Sequence, residues 1–260
     1  MLGLGLSNAR TARFSTRPST TRKLLITPYT KIIVMLDPTP TSFRTHLHIP
    51  PSTVSPTDRD SILIIIDAQN EYAYGKMKVK KLEETRGNIL ALLERYRSAH
   101  APVAHVVHIT PPGTSVFTPD TPLADIFPEL QPDASRIGTE TDSKGKDEKD
   151  FEVIVPKRFP GAFAETILQE VVERAGVRKL VLVGYMAHVC VSTTAREAHQ
   201  RGYDVVVVSD AVGDRDLPGL STIADSEEGG LGARGEDVTR MVMIELADAF
   251  ATVLKTDDVQ

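Results

Sequence analysis

A single cysteine, Cys190, stands among the 260 residues of this chain, which excludes any intramolecular disulfide framework and is compatible with a reducing compartment. No apolar run approaches the length that crosses a bilayer; the longest stretches are strand-sized, so no membrane partner is expected. No Gly-x-Gly-x-x-Gly or phosphate loop follows an apolar run, and a nucleotide cofactor is not expected. Histidine is missing between Asp67 and His100, and no Cys or His cluster has metal-ligand spacing, so neither a cofactor nor a metal is expected. A formal charge of −5, with signs mixed along the chain, offers nucleic acid no footing. The first 36 residues lack any acidic side chain while carrying Arg10, Arg13, Arg17, Arg22, Lys23 and Lys31 among many Ser and Thr. That is the composition of a mitochondrial transit peptide; a disordered basic tail or an upstream start codon before a cytoplasmic enzyme are the alternatives. Residues 37–59, rich in Pro, Thr and Ser, read as an extended lead-in.

What the chain has, with hydrophobic residues at 41%, is enough apolar material for one domain with a full core over residues 60–255. Short β-branched runs alternate with helical periodicity. Strands are expected at Ile62–Ile66, Pro102–Ile109, Phe151–Val155, Lys179–Val183 and Asp204–Ser209. Helices are expected at Lys80–His100, Ala162–Ala175, Val189–Arg201 and Arg234–Leu254. This alternation gives a three-layer α/β/α sandwich around a doubly wound parallel sheet. The stretch Asp210–Gly235 reads as loops with room for a sixth strand. Thr110–Asp150 is a long connection of the functional or mobile kind.

Three reactive side chains fall at strand ends. Asp67 closes Ser61-Ile-Leu-Ile-Ile-Ile-Asp, Lys157 follows Phe151-Glu-Val-Ile-Val-Pro, and Cys190 follows the strand Leu180-Val-Leu-Val-Gly at the start of a helix. Carboxyl ends of parallel strands converge on one crevice, where ligands bind. A thiol at a helix N-terminus is expected to have a lowered pKa. His105 and His108 lie three apart on one strand and point to opposite faces, with His108 the nearer to the crevice.

These residues sit in Ile-Asp67-Ala-Gln-Asn, Pro-Lys157-Arg-Phe-Pro-Gly-Ala-Phe and Gly-Tyr-Met-Ala-His-Val-Cys190-Val-Ser-Thr-Thr-Ala-Arg. Their order, spacing and flanks resemble the Asp-Lys-Cys triad of isochorismatase-like cysteine hydrolases, from about Asp60 to about Val253. The resemblance implies strand order 3-2-1-4-5 and a catalytic set of Asp67, Lys157 and Cys190. It also implies oxyanion donors at the backbone N–H groups of Ala187 and Cys190, beside a non-proline cis peptide at Met186–Ala187. Gln69, Tyr72, His108, Phe163, Met186 and His188 are the expected pocket residues, with Asn70 beside them. Relatives that deaminate nicotinamide carry an Asp-x-His metal motif absent here. The implied partner is a small molecule, and the implied assembly a homo-oligomer, dimer or tetramer. The leading reading is thioester cleavage of an amide, imide or ureido C–N bond without a cofactor; the alternatives are vinyl-ether cleavage of isochorismate to pyruvate, which Ala187-His188 and Ser192-Thr-Thr resemble, and a catalytically silent binding scaffold.

Overall fold

The computed structural model describes residues 40–137, 149–220 and 230–260; the expected basic leader lies outside them, as does most of the charged run before Asp150. The strands are β1 (Ser61–Ile66), β2 (Val103–His108), β3 (Glu152–Lys157), β4 (Lys179–Tyr185), β5 (Asp204–Gly213), β6 (Leu217–Pro218), β7 (Leu231–Ala233) and β8 (Thr252–Leu254). Six of them form one parallel sheet in the order β3-β2-β1-β4-β5-β8, while β6 and β7 pair separately as an antiparallel ribbon. The helices are α1 (Phe43–His46), α2 (Glu71–Tyr74), α3 (Leu82–Ser98), α4 (Leu168–Ala175), α5 (Ser192–Gln200) and α6 (Gly235–Ala249).

Every residue of β1 is buried, as a central strand covered on both faces requires. Ile62, Ile64 and Ile66 enter the core shared with α4, α5 and α6. Leu63 and Ile65 enter the core on the opposite face, where α3 contributes Ile89, Leu92, Leu93 and Tyr96. Their spacing of three and four residues puts all four on one side of the helix. The order turns at β1–β4, so the carboxyl ends of these two neighbours open the crevice expected for this topology.

Three boundaries differ from the sequence expectation, each for a physical reason. The short strand expected within Asp210–Gly235 is met by β6 and β7, while the sixth strand of the main sheet follows the last helix. Helix α6 stops at Ala249, and Thr252–Leu254 extends the sheet because Val206, Val207 and Val208 of β5 offer a free ladder edge. Strand β5 runs past the polar Ser209-Asp210 pair to Gly213, through a bulge that shifts its register against β4. The stretch Ala162–Ile167 is not helical: the Ala162 and Phe163 N–H groups donate to Thr194 and Glu197 of α5, and α4 begins only at Leu168.

The lead-in is not uniformly extended. Helix α1 is capped by Ser42, and the Phe43 N–H donates to Asp248. Ser52 bonds Asp204, and Val54, buried, bridges Val259 beside the C-terminus. Of the described helices, none is long and apolar enough to cross a membrane.

At the opposite edge from β8, Glu152 starts β3 with its side chain fully buried. It meets His105 Nε2 at 2.9 Å, Arg97 Nε at 2.7 Å and Arg136 Nη1 at 3.0 Å, and accepts the Asp133 N–H. Burial alone would raise this carboxyl. Hydrogen bonds from His105, Arg97 and the Asp133 backbone outweigh it and hold the group down at about 2, against an ordinary 4.5. A depressed folded pKa contributes stability that is present above the unfolded value and is lost as pH falls through the folded one. Wild type is therefore expected to lose stability between about pH 4.5 and pH 2, with part of that slope missing in Glu152→Gln. Glu152→Ala takes the carboxylate from Arg97 and His105, while Arg136 keeps Asp150, and is expected to cost about 3 kcal/mol, the low end for a broken buried pair. Urea unfolding at several pH values reads both effects.

Candidate active site

Three strand ends assemble the site. β1 leads into Asp67, whose φ of +51° turns the chain as its N–H donates to the Val106 carbonyl; Asp tolerates this left-handed conformation better than most residues. Lys157 is the last residue of β3, still within the sheet, where the ladder sets it opposite His108 of β2. Cys190 follows β4 through a single π-turn over Ala187–Val191 that leads into α5.

Two glycines permit the close approaches. Gly184, at φ +112°, lies against β1, and a Cβ there would collide with the backbone of Ile66, one residue before Asp67. Gly161 lies under the Glu197 carboxylate, which a Cβ would also strike. Through Thr194 and Glu197, the helix behind Cys190 thus clasps the turn that leaves Lys157.

The three side chains meet. Lys157 Nζ lies 2.7 Å from Asp67 Oδ2 and 3.3 Å from Cys190 Sγ, with the ammonium and carboxylate side chains wholly buried. The remaining acceptor capacity of Asp67 is not taken up by any backbone N–H among the described residues. Its lone pairs are therefore available to the thiol. Burial would lower the Lys157 ammonium, but the Asp67 charge and the sulfur outweigh it and hold the group protonated, above its ordinary value.

The thiol runs against the sequence expectation. Its pKa is raised, first by burial and then by the Asp67 negative charge, with Lys157 pulling the other way. A position before α5 does not lower it, because Cys190 is only 6% exposed and desolvation dominates. Burial and the Asp67 charge together favour the neutral thiol over the thiolate.

The turn around Cys190 sorts its backbone donors. The N–H groups of Val189 and Val191 donate to the Met186 carbonyl, and that of His188 to Asp214. Neither acceptor takes the N–H of Ala187 or of Cys190, the two expected oxyanion donors. The cis peptide lies one bond earlier than expected, at Tyr185–Met186.

The expected pocket residues divide. Tyr72 is buried beside the triad; burial, then the Asp67 charge, push its hydroxyl well up, so it stays protonated. His108 Nδ1 lies 3.4 Å from Lys157 Nζ. Gln69 and His108 border a cleft of about 300 Å³, with Thr110, Phe117, Ile126 and Ile154. The Gln69 amide is spent on the chain itself, however. It donates to the carbonyls of His108 and Ala124 and accepts the His108 N–H, because the end of β2 needs a partner there. Asn70 likewise donates to the Pro122 carbonyl.

Met186 is 9% exposed and packs in the α3-side core. Phe163 is core: its ring stacks on Tyr203 at 6.0 Å with Arg201 over its face. His188 is held by buried Asp214, whose Oδ2 meets both its backbone N (2.9 Å) and Nδ1 (2.7 Å). Sequence reading missed Asp214, as it missed buried Glu71, which accepts N–H groups from Lys76, Met77 and Phe117. Isolated acidic residues in loop-like segments give no sign of such roles. A larger cavity of about 590 Å³, lined by Thr85, Asp210, Asp214 and Met243 among others, borders none of the three triad residues.

Comparison with known proteins shows the family. The isochorismatase domain model matches residues 61–258. The secreted isochorismatase effector Isc1 of Verticillium dahliae is 48% identical over 218 residues, covering 84% of this chain and 98% of that protein. A streptothricin hydrolase of Streptomyces noursei is 28% identical over 195 residues, 74% of this chain and 63% of that protein. The crystal structure of an isochorismatase from Pseudomonas putida superposes with a TM-score of 0.71 at 30% identity, covering 85% of this chain and all of the other.

The electrostatics of the triad set a testable sign. Asp67→Asn removes an anion that raises the thiol and leaves the Lys157 cation that lowers it. The pH profile of Cys190 alkylation is therefore expected to move to lower pH in this variant. A profile unmoved, or moved upward, would refute contact between carboxylate and thiol.

Proposed function

The chain belongs to the isochorismatase family of hydrolases, and from that premise we propose that it cleaves the vinyl ether of isochorismate, releasing pyruvate. The observation carrying this reading is the 48% identity to an isochorismatase effector over 98% of that protein. The buried Asp67–Lys157 pair supplies suitable chemistry. In this mechanism Asp67, ionised beside Lys157 in the free protein, takes up a proton from solvent as isochorismate binds and gives it to the methylene carbon of the enol ether. The electrons of the double bond form the new C–H bond, and the ether carbon becomes an oxocarbenium centre. Water adds to that carbon while Asp67 takes back a proton. The resulting hemiketal collapses to the ketone of pyruvate and the ring alcohol. Lys157 stabilises the carboxylate whenever Asp67 is ionised, and Cys190 need not form a bond.

A second reading has its own support, the 3.3 Å contact between Lys157 Nζ and Cys190 Sγ. Here Asp67 accepts the thiol proton as sulfur attacks the carbonyl carbon of an amide, imide or ureido group. The N–H groups of Ala187 and Cys190 receive the oxyanion. Asp67 then protonates the departing nitrogen, and water clears the thioester. A silent scaffold has less to recommend it, since three reactive groups meeting in a buried cluster are costly to hold without a use.

Two variants separate the readings. Asp67→Ala is expected to lose about 10²–10⁴-fold in kcat/KM under either mechanism. Cys190→Ala is expected to keep isochorismate cleavage within about tenfold of wild type; a wild type that cleaves an amide but not isochorismate, with both variants inactive on that amide, would support thioester chemistry instead. Pyruvate release, read by coupled reduction, is the assay for isochorismate, and mass spectrometry of an amide library the assay for the alternative. A wild-type chain inactive on both would return the scaffold to consideration.

A further inference from the structure

Lys157 and Cys190 meet although the sheet does not join the elements that carry them. β3 and β4 are separated by β2 and β1, so no ladder bond ties Lys157 to the strand before Cys190. On its own side the Lys157 carbonyl accepts the Ile109 N–H. The ion pair with Asp67 does not require the sulfur either. Lysine ends in a flexible four-carbon stem, and the carboxylate at 2.7 Å already neutralises its charge.

What does join them is one face of α5. Thr194 and Glu197, four and seven residues after Cys190, are neighbours on the helix surface. Both reach the turn that leaves Lys157: Thr194 Oγ1 accepts the Ala162 N–H at 3.0 Å, and Glu197 Oε2 the Phe163 N–H at 3.2 Å. Thr194 and Ala162 have no exposed surface. This stretch precedes the start of α4 at Leu168, so its main-chain donors have no helical acceptor and take one from α5. Gly161 lets the Glu197 carboxylate close onto the backbone. Counted with Lys157 Nζ to Cys190 Sγ at 3.3 Å, three contacts run in order along both partners. Cys190, Thr194 and Glu197 face Lys157, Ala162 and Phe163 in turn.

We propose that Thr194 and Glu197 are positioning residues for the reacting centre: their hold on the Ala162 and Phe163 N–H groups keeps the Lys157 ammonium against Cys190 Sγ. Burial and then the Asp67 charge raise the thiol, and the Lys157 cation opposes both. The distance of that cation therefore bears on how readily the sulfur ionises. The assignment rests on reading Asp67, Lys157 and Cys190 as one centre, whichever substrate it takes.

Cys190 is the only cysteine in the chain, so alkylation reads this contact without a substrate. Iodoacetamide is neutral and iodoacetate carries a charge. At one fixed pH the iodoacetamide rate constant reports thiolate formation, and the ratio of the two reports the cation beside the sulfur. Thr194→Val keeps the side-chain shape and loses the acceptor. In that variant iodoacetamide is expected to react about tenfold more slowly, and the iodoacetate-to-iodoacetamide ratio to fall about threefold. Thr194→Ser, which retains the hydroxyl, is expected to match wild type. A role confined to stability predicts the opposite sign, because loosening α5 uncovers a thiol that is only 6% exposed and speeds both reagents. Unchanged or faster alkylation in Thr194→Val would overturn the assignment, and so would equal slowing of both reagents, which marks lost access. Should circular dichroism show that variant unfolded, Glu197→Ala is read in the same way. Lys157→Met separates this assignment from the reading beneath it. A ratio unmoved there removes the ammonium–sulfur contact itself, whereas a ratio that falls there but not in Thr194→Val overturns the positioning role alone.

Discussion

The Lys157 ammonium has no exposed surface, and a cation removed from water is tolerable only where acceptors replace its hydration. Asp67 at 2.7 Å supplies the countercharge, and Cys190 Sγ at 3.3 Å and His108 Nδ1 at 3.4 Å complete the surroundings. Because the carboxylate and ammonium neutralise each other, neither can leave without stranding the other. That mutual requirement fixes the relative position of β1, β3 and the turn after β4. The Lys157–His108 register, the backbone approach at Gly184 and the clasp of Thr194 and Glu197 on the Lys157 turn all serve the same constraint.

The same burial determines how the site can react. A thiolate standing ready would suit a cysteine nucleophile, yet here desolvation and the neighbouring carboxylate keep the sulfur protonated. In both hydrolytic readings Asp67 is the group that carries the proton, to substrate in one and from sulfur in the other. Both hydrolytic readings share its geometry for that reason, and the fate of the cysteine distinguishes them.

Around this centre, loops are tied down by single buried polar side chains. Glu71 gathers the N–H groups of Lys76, Met77 and Phe117, Gln69 closes the end of β2, Glu152 anchors both flanks of the stretch before β3, and Asp214 holds His188. Each satisfies backbone donors that a loop leaves without a ladder partner. Losing one costs the full desolvation of the groups it served, more than the bond itself contributes. The walls of the cleft are therefore held by interactions remote in sequence from the triad.

How much of this was legible beforehand follows from the range of each interaction. Apolar runs such as Ser61–Ile66 and Lys179–Val183 announce central strands because both faces must be buried, and that pattern is local. The motifs around Asp67, Lys157 and Cys190 carried the resemblance, and with it the strand order. Strand β8 was hidden because Thr252–Leu254 becomes a strand only against the free edge of β5, and the stacking of Phe163 on Tyr203 likewise joins separate elements. The sign of the Cys190 shift depended on desolvation and on a charge from another strand, neither present in a helix-terminus argument. By itself, the order of residues determined the alternation of strands and helices and which side chains were reactive, since short-range burial and chemistry decide those. Only the tertiary structure decided which groups share a proton, which are used up as struts and where the last strand lies, because such outcomes depend on distances between segments far apart along the chain.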